Sequence, residues 1–533
     1  MNRGLLLFLG SVGACADVLG FQPGEIDDTP SNLAGAGAEG VVESGGAGAL
    51  AEGGSGSVIP TAGGAPPVGG APGEAGGALP TLCGNEQLDG SEECDGNRLG
   101  DARCTTAGDF AGGVLGCDAE CRYDFEDCYS VESVAVGFHS CAVLSHGKLK
   151  CWGANDLGQL GLGDQEHRGE EDGSAEMGAN LPLVPLGQAR AKQVTVGARH
   201  TCVLTTEGEV RCWGDNSDGQ LGIPEVELLL SAEQAPVLDL GATVELIEAG
   251  AAHTCVLLDS GDVKCWGANR LGELGLGDVQ SRGKQAGDLG EQLPVLDLDF
   301  QPAELSAGDQ HTCALGPEGL KCWGATFYGH PMPDPSQYSL GDEPSEMGAD
   351  LPLVALGWDS VAQLASGWAH NCALSREGSV KCWGDSSYGQ LGYGSRLPHL
   401  DVTQLAHELD DVELDGSVLA LSAGRAHTCA LLTDNRLKCW GNNESGQLGL
   451  GNSYNYGFYA PSDMGAALPA VDLGEGHTIV GIQLGGDTSC AILDRGRLKC
   501  WGRNDAGALG LGLLGNVGWD RAHMGDALPF VEL

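Results

Sequence analysis

The chain has 533 residues, with 89 Gly, 21 Cys, only 5% aromatic side chains and a formal net charge of −47 at pH 7. That length holds several domains or one large repeat array. A surface so acidic repels nucleic-acid phosphates and anionic lipid headgroups, which excludes nucleic acid as a partner and leaves basic, neutral or cationic ones.

In chain order, Met1-Asn2-Arg3 is a short basic start, and Gly4 to Ala14 is apolar but too short to span a bilayer. Residues 1–14 therefore read as a signal peptide. Val12-Gly13-Ala14-Cys15 resembles a bacterial lipobox. That resemblance implies cleavage before Cys15, lipidation of its thiol, and a lipid anchor as the sole link to a membrane. Residues 15–80 are Gly, Ala, Pro, Ser and Glu with almost no large apolar side chains, which predicts a disordered linker. A tether of about 60 residues has a reach of roughly 40 Å.

Residues 81–129 hold Cys83, Cys94, Cys104, Cys117, Cys121 and Cys128. So small a unit lacks core and is expected to be a spacer held by disulfides, whose pairing the spacing leaves open. Cys83-Gly84-Asn85 and Glu92-Glu93-Cys94-Asp95-Gly96-Asn97 resemble the cysteine-rich repeat of surface proteins of myxobacteria, with residues 105–115 interrupting its usual second half. No His lies in the segment, which argues against zinc.

From residue 130 to 533 one phrase recurs. Cys-Trp-Gly stands at 151, 212, 265, 322, 382, 439 and 500, at intervals of 61, 53, 57, 60, 57 and 61 residues. Such periods mark propellers or solenoids. His139, Cys141 and Val143 alternate with Ser140, Ala142 and Leu144, a Gly-containing turn follows, and Leu149 and Cys151 return. This is a β-hairpin pattern. Runs such as Leu181 to Gly187 and Val194 to Gly197 suggest two more strands per unit. Seven units of four strands predict an all-β, seven-bladed propeller. The first unit lacks the Leu-Pro run that precedes the others, and Ala527 to Leu533 supplies it, so the C-terminal strand is expected to complete the first blade.

Opposed residues in an antiparallel hairpin lie within disulfide reach. One staple per blade is therefore expected: Cys141–Cys151, Cys202–Cys212, Cys255–Cys265, Cys313–Cys322, Cys372–Cys382, Cys429–Cys439 and Cys490–Cys500. Even cysteine counts in both regions point to an oxidising, extracytoplasmic location, on the outer surface or secreted.

The phrase His-Thr-Cys-x-Leu, hairpin, Lys-Cys-Trp-Gly-x-Asn-x-x-Gly-Gln-Leu-Gly resembles the RCC1 (regulator of chromosome condensation) repeat. Asn155 to Gly161, Asn216 to Gly222 and Asn443 to Gly449 carry it best. The cysteine pairs and the Met-Gly-x-x-Leu-Pro stretches at Met177, Met347, Met464 and Met524 resemble a secreted bacterial branch. Unit four departs, with Phe327-Tyr328-Gly329-His330-Pro331 in place of that loop, and unit seven has Thr488 where the others have His. The resemblance implies a propeller and, in one member, nucleotide exchange on a small GTPase. Export and disulfides sit badly with that activity.

Six histidines (His139, His200, His253, His311, His370, His427) recur at one place and are expected to bond neighbouring backbone. Seven signature tryptophans are expected to pack between blades, leaving Trp358, Trp368 and Trp519 as contact candidates. Asp215-Asn216-Ser217-Asp218-Gly219 has the wrong register for an EF-hand. No phosphate loop, nucleophile elbow or His-Glu-x-x-His occurs, so no catalytic residue, metal or cofactor is assigned. Segments 165–180, 279–292, 328–350, 396–415 and 453–467 vary over a fixed frame, and variable loops on a rigid scaffold carry recognition. Tyr454, Tyr456, Phe458 and Tyr459 are the candidate binding loop. The expected function is a monomeric surface-tethered or secreted module binding a protein or glycan. The alternative is an extracellular hydrolase or lyase with its site in the channel, which unpaired carboxylates there would favour.

Overall fold

The computed structural model describes residue 88 and residues 92–533 apart from 97, 109, 171–175, 327–337 and 395–408. The described residues belong to one compact unit. Residues 1–87, which hold the signal sequence, Cys15, the whole 15–80 linker and Cys83, lie outside them.

The chain is a seven-bladed β-propeller. In the first blade, inner strand Val131–Val136 pairs with middle strand His139–Leu144, which pairs with outer strand Lys148–Gly153. The last blade repeats this with Ile479–Gly485, Thr488–Leu493 and Arg497–Gly502. Each inner strand packs against the inner strands of both neighbours, and the seventh packs on the first, which closes the ring.

The expected fourth strand is vestigial. It is two residues long in the second and fourth blades (Leu228–Leu229, Ser339–Leu340) and a single bridge at Arg168, Arg282, Tyr456 and Val517. In five blades the outer strand ends on a glycine at positive φ, such as Gly153 at φ 101°. A Cβ there would lie 2.8 Å from the Cα of His139, so the position takes no side chain.

The Leu-Pro runs are not strands either. Each caps the hairpin that precedes it through one hydrogen bond: Val184 N–H to Leu149 O at 2.8 Å, Leu238 to Val210 at 2.9 Å, and Val531 to Leu498 at 2.8 Å. The C-terminal run therefore belongs to the seventh blade, which corrects its expected place in the first. Proline removes the donor that a ladder needs, and the short connector reaches only its own hairpin. Contact with the first unit is made instead by Gly178 N–H to Glu532 O at 2.9 Å and Leu533 N–H to the Tyr129 hydroxyl at 2.9 Å.

The core is a ring of inter-blade clusters. Each cystine is buried beneath the tryptophan of the next blade, Cys141 and Cys151 under Trp213, Cys202 and Cys212 under Trp266. All seven hairpin disulfides are present, with Cα–Cα distances of 4.0–4.1 Å between directly opposed residues. In the fourth, the chain reverses through Pro317-Glu318 between paired Gly316 and Gly319, which absorbs the missing residue. The signature lysine is a buried clamp. Lys264 Nζ bonds Leu240 O of the preceding unit and Gly290 O of its own, both at 2.9 Å, and Lys499 does the same with Leu473 O and Gly525 O.

In the cysteine-rich unit, Cys94–Cys117 and Cys104–Cys128 are bonded, and Cys121 is in a disulfide too. The unit is docked, not a free spacer. Lys148 Nζ reaches Asp127 at 3.1 Å, Arg495 Nη1 reaches Thr105 O at 3.2 Å, and Tyr129 joins the core between the first and seventh blades.

Candidate functional site

Function must be sought against what the repeat uses for structure. His139 Nε2 lies 2.7 Å from Thr201 Oγ1 of the next blade, and that hydroxyl donates to Gln159 O at 2.7 Å. Trp213 Nε1 donates to the same carbonyl at 3.0 Å. Since the hydroxyl spends its proton on Gln159, it must accept from the imidazole, which fixes the Nε2–H tautomer. The arrangement recurs as His200–Thr254–Gln220, His370–Thr428–Gln390 and His427–Ser489–Gln447. Burial lowers these histidines to about 3 or about 4, so they are neutral. They bond the hydroxyl or amide of the next blade, not backbone as expected, and tie blades together. The glycine before them is equally structural. A Cβ on Gly250 would lie 2.1 Å from His253 Cε1.

The fourth-to-fifth junction breaks the pattern. Asn371 replaces Thr, and its Oδ1 accepts from His311 at 3.0 Å and from Ser366 Oγ at 2.7 Å. Asn371 Nδ2 and Trp383 Nε1 are buried with no partner among the described residues. Here the preceding unit carries the divergent 327–331 sequence, which lies outside those residues.

The turns between inner and middle strands form a ring around the axis on one face. Ala198 N–H bonds Ala251 O, Ala251 bonds Asp309 O, Asp309 bonds Trp368 O, Trp368 bonds Gly424 O and Arg425 bonds Gly486 O, at 2.7–3.3 Å. On it lies a non-repeating chain of side chains. Trp368 Nε1 donates to Asp309, Arg425 stacks on the Trp368 ring at 4.2 Å, and Arg425 and Arg503 flank Asp487 at 3.7 and 3.6 Å. Phe138 packs on Ala198 and Ala251 beside it. Burial pushes Asp309 up to about 7, with Trp368 opposing. Along the inner strands, burial also raises Glu304 to about 7 and lifts Glu248 well above the usual carboxylate range, with Glu304 adding to the effect on Glu248. Glu304 Oε1 accepts Leu364 N–H at 3.0 Å, while Glu248 Oε2 has no partner among the described residues.

The candidate aromatic loop divides. Tyr456 bridges to Gly441 and packs on the core, and Phe458 is half-buried, edge-on to Tyr459 at 4.6 Å. Tyr454 and Tyr459 are 70% and 67% exposed. The corresponding loop of the seventh blade exposes Leu513, Leu514 and Trp519, the last edge-on to His523 at 5.3 Å. Trp358 is a packing residue beneath Lys381, and Trp368 belongs to the axial chain, so of the three extra tryptophans only Trp519 offers a broad free face. Residues 396–408 and 328–337 lie outside the described residues. Asp215 to Gly219 is a turn, with Ser217 N–H on Asp215 Oδ1 at 3.0 Å.

Sequence reasoning missed Asp309, Arg425 and Asp487. A signal existed: in Gly-x-x-His the first variable residue runs Ala198, Ala251, Asp309, Trp368, Arg425, diverging where the frame around it repeats.

Fold and junction chemistry agree with the comparisons. Residues 107–479 match the RCC1-like domain and residues 479–508 match the regulator of chromosome condensation (RCC1) repeat. The chain belongs to the RCC1-like domain family. It is 31% identical over 342 residues to the ultraviolet-B receptor UVR8 of Arabidopsis thaliana, covering 62% of this chain and 70% of that one. It is 29% identical to the E3 ubiquitin-protein ligase HERC2 of Homo sapiens over 61% of this chain but only 6% of that protein. The mouse secretion-regulating guanine nucleotide exchange factor is 27% identical over 68% of this chain and 78% of its own length. Among solved structures, human WBSCR16 aligns with a TM-score of 0.54 at 24% identity, covering 68% of this chain and 86% of that one. Prp20p of Saccharomyces cerevisiae aligns at 0.50 and 19%, covering 66% and 80%. These two share the fold.

Proposed function

We infer that this protein is an extracytoplasmic protein-binding propeller, lipid-anchored through Cys15 and presenting the loops of its sixth and seventh blades to a protein partner. The observation that carries the reading is the exposed set Tyr454, Tyr459, Leu514 and Trp519 on loops held by rigid, disulfide-closed blades. Exposed Tyr and Trp on a fixed frame supply large contact area with little ordering entropy. The disulfides support an oxidising compartment. The relatives' varied names, a receptor, ubiquitin ligases and an exchange factor, fit a shared binding scaffold more readily than a shared reaction. The test is photo-crosslinking on intact cells with the full chain. Tyr454→Ala, Tyr459→Ala and Trp519→Ala combined should abolish the crosslinked partner band, and an undiminished band refutes the loop reading.

A second reading, an enzyme, draws on Glu248, Glu304 and Asp309 in the inner wall. Glu248 and Asp309 are buried, Glu304 is half-buried, and all three already accept hydrogen bonds from the fold. Hydrolytic turnover lost in Glu304→Gln with the fold retained would favour this reading.

A further inference from the structure

The channel mouth opposite the loop face carries a second site. In six inner strands the register shifts at the second residue, between Val131/Ser133, Ala191/Gln193, Val244/Leu246, Val361/Gln363, Val418/Ala420 and Ile479/Gly481. A bulged residue leaves the ladder and its side chain is re-aimed. The seven residues at this place are Glu132, Lys192, Glu245, Ala303, Ala362, Leu419 and Val480, and all are exposed. The residue before each is apolar in all seven strands, while these diverge into a charged arc followed by an apolar arc. Leu419 is 62% exposed and Val480 40%, unusual for positions the frame could have filled with polar residues.

Against the charged arc lies a cavity of about 580 Å³, lined by Lys192, Glu245, Asp259, Leu246, Leu257 and Pro302 among others. Its volume is that of a small-ligand site. Lys192 Nζ is anchored on Glu245 O at 3.0 Å, which holds one positive charge on the wall beside the Glu245 side chain. Glu245 has no ion-pair partner among the described residues, and Asp259 is oriented by the Thr243 hydroxyl. The cavity thus offers one cation, two anions and an aliphatic floor, with no aromatic ring on which a sugar could stack.

We propose that this mouth binds a short free peptide with aliphatic side chains, its carboxylate on Lys192 and its ammonium on Glu245 and Asp259. The site lies on the hairpin-turn face, so it is independent of the loop reading. Calorimetry on the intact protein with three probes tests it: leucyl-leucine, its N-acetyl derivative and its C-terminal amide. Leucyl-leucine should bind, and blocking either end should weaken it about tenfold, the size of one lost charge contact. In the double variant Glu245→Gln with Asp259→Asn the penalty for acetylation should vanish while that for the amide stays. In Lys192→Met the reverse should hold. Tyr454→Ala should change neither. Absence of heat at millimolar leucyl-leucine, or end-group penalties that persist in both variants, overturns the proposal.

Discussion

The second-to-third and fourth-to-fifth junctions are built from the same parts with opposite outcomes. At the first, His200, Thr254, Trp266 and the Gln220 carbonyl satisfy one another, and the inner strands are tied by Gln193 through both Ile247 N–H and O at 3.2 and 2.8 Å. At the second, Asn371 Nδ2 and Trp383 Nε1 have no partner among the described residues, and the ties are made by acids, Glu304 to Leu364 N–H and Asp309 to Trp368. An ionised carboxylate can accept as an amide does but cannot donate back, and burial favours its protonated form. The two seams thus differ in their ties, an amide at the first and carboxyls at the second. Repeat proteins tolerate this because each blade answers only to its neighbours.

The largest expected effect would set all junctions against that one seam. The six histidines are depressed by burial to about 3 or 4, below their unfolded value near 6.5. Their contribution is full above about pH 6.5 and lost as pH falls toward the folded values, at up to ~8 kcal/mol per pH unit for six protons. Urea titrations should show a steep loss of stability between pH 6 and 5, and a flat profile there would contradict the neutral buried histidines. Glu304 and Asp309 act in the opposite direction. Raised from the usual carboxylate range to about 7, they stabilise fully below the unfolded pKa near 4 and lose that contribution as pH rises to about 7. Glu304→Gln, which keeps the acceptor for Leu364 N–H, should therefore stabilise at pH 8 by up to ~3 kcal/mol and do little at pH 4. Hydrogen exchange corrected for intrinsic rate should find the Val361–Ser366 strand the first inner strand to open at pH 8.

Smaller effects sharpen the contrast. Removing one cystine, as Cys202→Ala with Cys212→Ala, should lower stability by about 2–3 kcal/mol through unfolded-chain entropy, read by urea midpoint. Replacing tryptophan by phenylalanine removes only the ring N–H. Trp266→Phe should cost about 1–2 kcal/mol because Gln220 O loses a donor, whereas Trp383→Phe should cost less, its N–H having no partner among the described residues. Equal losses at both sites would erase the distinction between the seams.

Much of this was legible in the chain. Period, alternation and the Cys-Trp-Gly count establish seven β-hairpin blades, because a two-residue side-chain period and a fixed repeat are local properties. The repeated His, Thr and Trp announce a shared structural task, and the divergent 327–331 stretch marks the odd unit. Other features arise only when the ring closes. The Leu-Pro runs carry strand-like composition, but proline leaves each with one bond to its own hairpin. The four aromatics of 454–459 look alike in sequence, and only the bridge of Tyr456 to Gly441 separates packing from surface. Asp309, Trp368, Arg425 and Asp487 span nearly 180 positions, and meet because the turns of successive blades stack around one axis. Local pattern determined the parts and their number; burial and proximity across blades decided which side chains were left for function.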